Sequence, residues 1–257
     1  SRRQRRASEL RREALRRGGG LSTMLRGGGM IRTGLGCLLA LLLWPGVGWG
    51  AVAFRASAVN DAAGVTAINI TIALNAGDAV VVVVDEALST VSSVTGAGCT
   101  MTQKATITGA RQTEIWGCLN SSGGSTVTVN MVGTANVNVS VHAYTGVNTF
   151  GNTGTNSGTG TNPTVSATLQ DANGYIAGGF GMDAATGACS AQNGTIRHSC
   201  FFSNQASQLL TSGDNTSGST GSLTFSFTST NSTSWQGAVV ELRPPTTVTN
   251  FLLLGVQ

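Results

Sequence analysis

The chain has 257 residues, 36 of them glycine, with only 10% charged side chains and a formal net charge of +4. Ten arginines precede Thr33, whereas from Phe54 onward five basic residues stand against nine acidic ones, a net of −4. A body of that sign repels phosphate backbones, which excludes nucleic acid as its partner.

Residues 1–29, opening SRRQRRASELRREALRRGGG, are read as a disordered extension or as upstream sequence that is not translated, because a short isolated helix stopped by three glycines is marginal. From Met30 the chain has a short n-region with Arg32, an apolar run from Leu35 to Trp44, and then small residues. That is the layout of a secretory signal peptide over residues 30–53, with Ala51-Val52-Ala53 as the cleavage site before Phe54. The competing reading is a retained signal anchor. Either way the body, residues 54–244, is expected to be secreted or displayed at the cell surface, with no membrane contact beyond the signal segment. The end, residues 245–257, reads as a tail too short to span a bilayer.

Period-two alternation dominates the body. Thr126–Met131, Val137–Val141 and Leu223–Phe227 each place apolar groups on one face and hydroxyls or amides on the other, the pattern of half-buried antiparallel strands. Val80–Val84 is instead a continuous β-branched run, expected to be a central strand covered on both faces. Asn75-Ala76-Gly77-Asp78, Ser121-Ser122-Gly123-Gly124 and Ser212-Gly213-Asp214-Asn215 read as turns. Residues 148–163, NTFGNTGTNSGTGTNP, read as a long loop joining two similar halves, 54–147 and 164–244. The fold class is therefore all-β, an antiparallel jelly-roll-like sandwich built from two similar halves.

Gly77-Asp78 before the valine run, the mid-strand Trp116, Val141-His142-Ala143-Tyr144-Thr145-Gly146-Val147 and the closing Trp235–Pro244 resemble a diffuse group of uncharacterised bacterial and phage secreted β-sandwich domains, over about residues 54–244. The resemblance implies a jelly-roll or immunoglobulin-like sandwich and no particular activity.

Cys37 lies in the apolar run, which leaves Cys99, Cys118, Cys189 and Cys200 in an exported body. An even set in that setting suggests disulfides, and the local pairing Cys99–Cys118 with Cys189–Cys200 is favoured among three connectivities. Neither zinc spacing nor a calcium loop is present. His142 and His198 are the only histidines, nothing brings them together, and G-x-S-x-G and H-E-x-x-H are absent. Asp85 and Glu86 point to opposite faces of a strand, so they make no glycosidase pair. Asp78, Asp171 and Asp214 read as turn-capping residues. Accordingly no catalytic, metal-binding or cofactor-binding residue is assigned, and no cofactor is expected. Trp116, Phe201, Phe202 and Trp235 are the candidate ligand-stacking aromatics. The function expected is that of a non-enzymatic structural, adhesive or surface-interaction module whose partners are a polysaccharide or other extracellular proteins. The alternatives are a carbohydrate-binding module and, behind it, a secreted hydrolase.

Overall fold

A computed structural model describes residues 51–87, 89–184, 187–202 and 208–246. The expectations for residues 1–50 and for the tail beyond 246 lie outside the described residues, as do the side chains of Phe201 and Phe202.

The first half begins with β1 (Ala53–Ala76), which pairs antiparallel with β6 (Ser122–Thr145) along nearly its whole length. Register shifts near Val65 break this ribbon into two segments, with Gly64 at φ 60 allowing the bend. Residues 53–62 of β1 and 135–145 of β6 join β2 (Ala79–Ala87), β5 (Gln112–Cys118) and β4 (Thr102–Thr108) in the order β1-β6-β2-β5-β4. Residues 67–76 of β1 and 122–131 of β6, with β3 (Val91–Thr95), fold over that sheet. Between the layers Ile68, Ile70, Ile72, Val127 and Val129 pack on Val80, Val82, Val84, Val139 and Val141. The valine run is buried on both faces, as its β-branched pattern requires. At its start Gly77 turns at φ 88, and Asp78 Oδ2 accepts the Asn75 backbone N–H at 2.7 Å and pairs with Arg55.

The second half comprises β7 (Thr149–Gly160), β8 (Thr164–Leu169), β9 (Tyr175–Met182), β10 (Cys189–Asn193), β11 (Thr195–Phe202), β12 (Leu209–Thr216), β13 (Gly221–Ser229) and β14 (Thr233–Arg243). Its sheets run β7-β14-β9-β12-β11 and β8-β13-β10. Matched strand for strand, both orders repeat the first half. The long β1–β6 ribbon is simply cut into β7 and β8 on one side and β13 and β14 on the other. A ribbon of first and last strands shared between two sheets is the wrap of a jelly roll. Phe225, Phe227, Val165 and Leu169 seal this half against Phe180, Met182, Trp235 and Val239.

The two five-stranded sheets then pack face to face, burying Val81, Val83, Ile115 and Tyr144 against Ala177, Leu210, Ala238 and Val240. Here β2 faces β9, while the contacts β5–β14 and β6–β12, and likewise β4–β7 and β1–β11, exchange when the halves are swapped. The layer thus has the self-complementary form of a two-fold dimer within one chain.

Three expectations are corrected: Ser122-Gly123-Gly124 opens β6, paired with the end of β1, and leaves only Ser121 of that expected turn outside a strand. Residues 149–160 form strand β7, paired with β14, and are no loop. Its polar, glycine-rich sequence suits a strand because Gly154 lies against the Ser166 carbonyl and Gly158 under the Trp235 ring, where a Cβ would collide, while β14 supplies the apolar face. Ser212-Gly213-Asp214-Asn215 lies inside β12 and makes no turn; the side chains of Ser212 and Asp214 are drawn into the layer between the large sheets. Both disulfides, Cys99–Cys118 and Cys189–Cys200, are present, a feature compatible with an extracellular protein.

Candidate functional site

Strand alternation sends Asn138, Ser140, His142 and Tyr144 of β6 to one face, and all four are buried. The sequence pattern implied a solvated polar face there; the second sandwich covers it instead. Ser140 Oγ and Ser212 Oγ stand 2.8 and 3.1 Å from His142 Nε2, and Ser212 Oγ donates to Ser140 Oγ at 2.8 Å. His198 lies half-buried with its ring centroid 5.6 Å from that of His142, so the fold brings together the two histidines that the sequence left apart. Burial, reinforced by the charges of His198 and Arg197, pushes the His142 pKa down to about 3. The imidazole is therefore neutral at pH 7. A hydroxyl beside an imidazole is the core of a nucleophilic dyad, yet His142 Nδ1 has no protein partner to orient it and both serines are fully enclosed.

One step along β6, the Tyr144 hydroxyl donates to Asp214 Oδ2 at 3.0 Å, and Arg197 grips both Asp214 oxygens through Nε at 2.9 Å and Nη2 at 3.0 Å. Arg197 also stacks over Phe54, 3.6 Å from the ring centroid. Asp214 is thus a buried strut between the two sheets, and not the turn cap that its neighbours Gly213 and Asn215 suggested.

At the far end of β2 stand Asp85 and Glu86, one on each face of the strand. Asp85 accepts the Arg111 Nε–H at 2.8 Å and presses on the backbone at Gly181, which has no Cβ to obstruct it. Its pKa is raised to about 6 by burial, against the pull of Arg111. Glu86 points to the opposite face, as alternation predicts, but meets Glu114 of β5 diagonally across the strand pair, since Glu86 is registered with Gln112 and Val84 with Glu114. Glu114 is saturated by four donors: the Val91 N–H at 3.2 Å, Gln112 Nε2 at 2.6 Å, Gln103 Nε2 at 2.7 Å and the Trp116 indole N–H at 2.7 Å. Both Glu86 oxygens are enclosed, and its carboxyl shares a hydrogen bond with that of Glu114. Burial, the hydrogen bond to Glu114 and the charges of Glu114 and Asp85 push its pKa up to about 9, so it is a neutral carboxylic acid at pH 7. A cleft of about 310 Å³ opens beside it, lined by Ser89, Thr90, Thr108, Arg111 and Gln112 among others.

No protein-family model, curated protein or solved structure matches this chain. Function must be argued from the site alone.

Of the candidate stacking aromatics, Trp235 is 6% exposed and belongs to the second core, where it meets Phe180 edge-on. It is closed to a ligand. Trp116 is half-buried against the first core, with its N–H committed to Glu114. Phe201 and Phe202 sit in β11, and their side chains are outside the described residues. Sequence reasoning missed the Glu86–Glu114 pair because it compared neighbours along one strand. The available signal was the register of β2 against β5, which places acids of two distant segments on one face.

Proposed function

We propose that the chain is an exported, non-enzymatic module that works by surface contact. The observation that carries the proposal is where the polar chemistry sits. The hydroxyls beside His142 are enclosed between the large sheets, whereas the outward faces of the three-stranded layers carry hydroxyls and amides in rows. Thr164, Ser166 and Thr168 are exposed on β8, beside Thr224 and Thr228 of β13. Ser166 bonds Thr224 at 2.7 Å and Gln192 reaches Thr228 at 2.5 Å. On the other sandwich Thr128 bonds Asn69 at 2.8 Å and Asn130 bonds Ser93 at 3.1 Å. Such faces stay wet and do not aggregate, and they offer dense hydrogen bonding to a partner. The two disulfides support an oxidising compartment.

The ends of the described body support the same view. Ala51 and Pro244, Pro245 and Thr246 line one small cleft, so the two ends of the described body lie at one pole. The test is to recover the native protein from its producer and determine its N-terminal residue and its fraction. A start at Phe54 in the medium or on the surface is expected; an intact arginine-rich chain in the cytoplasm would overturn the proposal.

A further inference from the structure

We propose that the layer between the two large sheets holds one cuprous ion, bound by Nδ1 of His142 and Nε2 of His198. This goes beyond the surface-module proposal and does not rest on it.

These two are the only histidines of the chain, and they come from different halves, on β6 and β11, yet their ring centroids lie 5.6 Å apart. Each ring has one nitrogen that is enclosed and unbonded: Nδ1 of His142, a fully buried side chain, and Nε2 of His198. Buried polar atoms are nearly always bonded, so two orphan nitrogens on adjacent rings point to something that pairs both. An ion has the right size. With metal–nitrogen bonds of about 2.0 Å and a ring nitrogen about 1.2 Å from its centroid, a centroid separation of 5.6 Å corresponds to an N–metal–N angle of about 120°. The local backbone serves this placement. Strand β11 shifts register against β12 on both sides of His198, between Ile196 and His198 and again between His198 and Phe201. Regular alternation would send Arg197 and His198 to opposite faces; with the shifts Arg197 reaches Asp214 and His198 reaches His142, both in the layer. Bulges re-aim side chains in this way beside functional sites.

The ligand set selects the ion. Among the described residues no three His, Cys, Asp or Glu side chains converge on one point, which excludes a closed zinc shell there, and cupric ion wants a planar set of nitrogen and oxygen ligands. Cuprous ion, with its filled d shell, accepts two or three ligands, and imidazole suits copper. The surroundings support the choice. On the other side of the His142 ring, Nε2 stands 2.8 Å from Ser140 Oγ and 3.1 Å from Ser212 Oγ. An N–H there donates to a serine oxygen, which leaves the lone pair on Nδ1 and fixes the ring, as outer partners do for metal-bound histidines. The charge of Arg197 is answered by both oxygens of Asp214, so a monovalent ion meets no net charge from that pair. His198 is half-buried on β11, the edge strand of its sheet, and gives the ion a way in.

The experiment uses the full chain with its disulfides intact, in a Cys37→Ser background, because Cys37 lies outside both disulfides and a thiol takes cuprous ion itself. Cu(I), kept reduced by ascorbate without oxygen, is titrated in competition with ferrozine, and one equivalent per chain should bind. Silver(I), a redox-silent and NMR-active stand-in, should split the nitrogen resonances of His142 Nδ1 and His198 Nε2 and leave His142 Nε2 unsplit. His198→Ala should weaken Cu(I) binding at least about a hundredfold with little change in the melting temperature of the metal-free chain, whereas His198→Met, which puts a soft thioether in place, should bind within about tenfold of the parent. The proposal is overturned if no Cu(I) binds, if His198→Ala binds as tightly as the parent, or if silver couples to nitrogens other than these two. A chain recovered at the surface that binds no copper would sink this proposal alone. A copper-binding chain kept in the cytoplasm would sink only the surface one.

Discussion

Replacing Asp214 by alanine tests whether the polar groups between the large sheets are structural struts. Asp214 is buried, accepts from the Tyr144 hydroxyl, and holds Arg197 through two hydrogen bonds. Removing one member of a buried charge pair costs about 3–5 kcal/mol. Arg197 keeps a side-chain exposure of 23% and can turn to water, which argues for the lower end. Tyr144 has no such escape: burial, with the charge of Asp214, raises its pKa well above the usual value, so it stays a donor and is left without an acceptor. A loss of about 3 kcal/mol follows, roughly 9 °C in melting temperature for a body of this size. The assay is guanidinium unfolding of the full chain with its disulfides intact. Tyr144→Phe alone should cost about 1 kcal/mol, and the double variant less than the two losses added, because the orphan hydroxyl is gone. A loss below about 1 kcal/mol for Asp214→Ala, or strict additivity, would refute the strut.

Three other outcomes are expected. His142 resists protonation down to about pH 3 in the fold but takes a proton near 6.5 when unfolded, so its contribution is present above pH 6.5 and drains away on acidification, by about 1.4 kcal/mol per pH unit. Glu86 acts oppositely: its proton is kept to about pH 9 in the fold and lost near 4.5 when unfolded, so its contribution is full below pH 4.5 and declines towards pH 9. Above about pH 6.5 the Glu86 slope stands free of the His142 one, and unfolding curves of Glu86→Gln should lose that alkaline decline. Gly154→Ala drives a Cβ into the Ser166 carbonyl and should cost about 2 kcal/mol by thermal melting, whereas Gly218→Ala meets open space and should be neutral; equal effects would refute the close approach of β7 to β8. Replacing either disulfide by a serine pair should lower stability by about 3 kcal/mol, for closed loops of 19 and 11 residues, and an unchanged denaturation midpoint would contradict the pairing.

How legible the fold was depended on whether a strand carries its own apolar pattern. Val80–Val84 announces itself as a continuous β-branched run, and Thr126–Met131, Val137–Val141 and Leu223–Phe227 by apolar groups at period two, and each lies in a strand. Strand β7 was hidden: its glycines are required by neighbours at Ser166 and Trp235, and those contacts are long-range. β12 was hidden for a related reason. Ser212 and Asp214 look like turn residues until β6 is laid opposite them. The same gap concealed the candidate site, since Glu86, Glu114 and Arg111 meet only through the pairing of β2 with β5 and the turn after β4. Local chemistry specifies where strands start and stop; which side chains share a face across strands is a property of register.

Register also explains why a polar file sits where an apolar layer would have been simpler. Across the layer Gln208 reaches the Asn136 carbonyl, Ser212 meets Ser140 and His142, and Asp214 meets Tyr144, so every partner lies 70 or 72 residues ahead. β6 and β12 therefore run in the same direction past one another, matched rung by rung. Two five-stranded sheets coated only with valine and alanine could slide by a pair of residues at small cost, because aliphatic contacts are non-directional. A slide here would part the Tyr144 phenol from Asp214 and the Ser212 hydroxyl from both Ser140 and His142 at once, at about 1–3 kcal/mol for each buried group left unpaired. Register-setting is the best attested use of buried polar groups, and this file is placed to supply it. Each sandwich presents its own half of the rungs, so neither can satisfy them alone, and the face that would be soluble by sequence becomes the seam that makes one body of two.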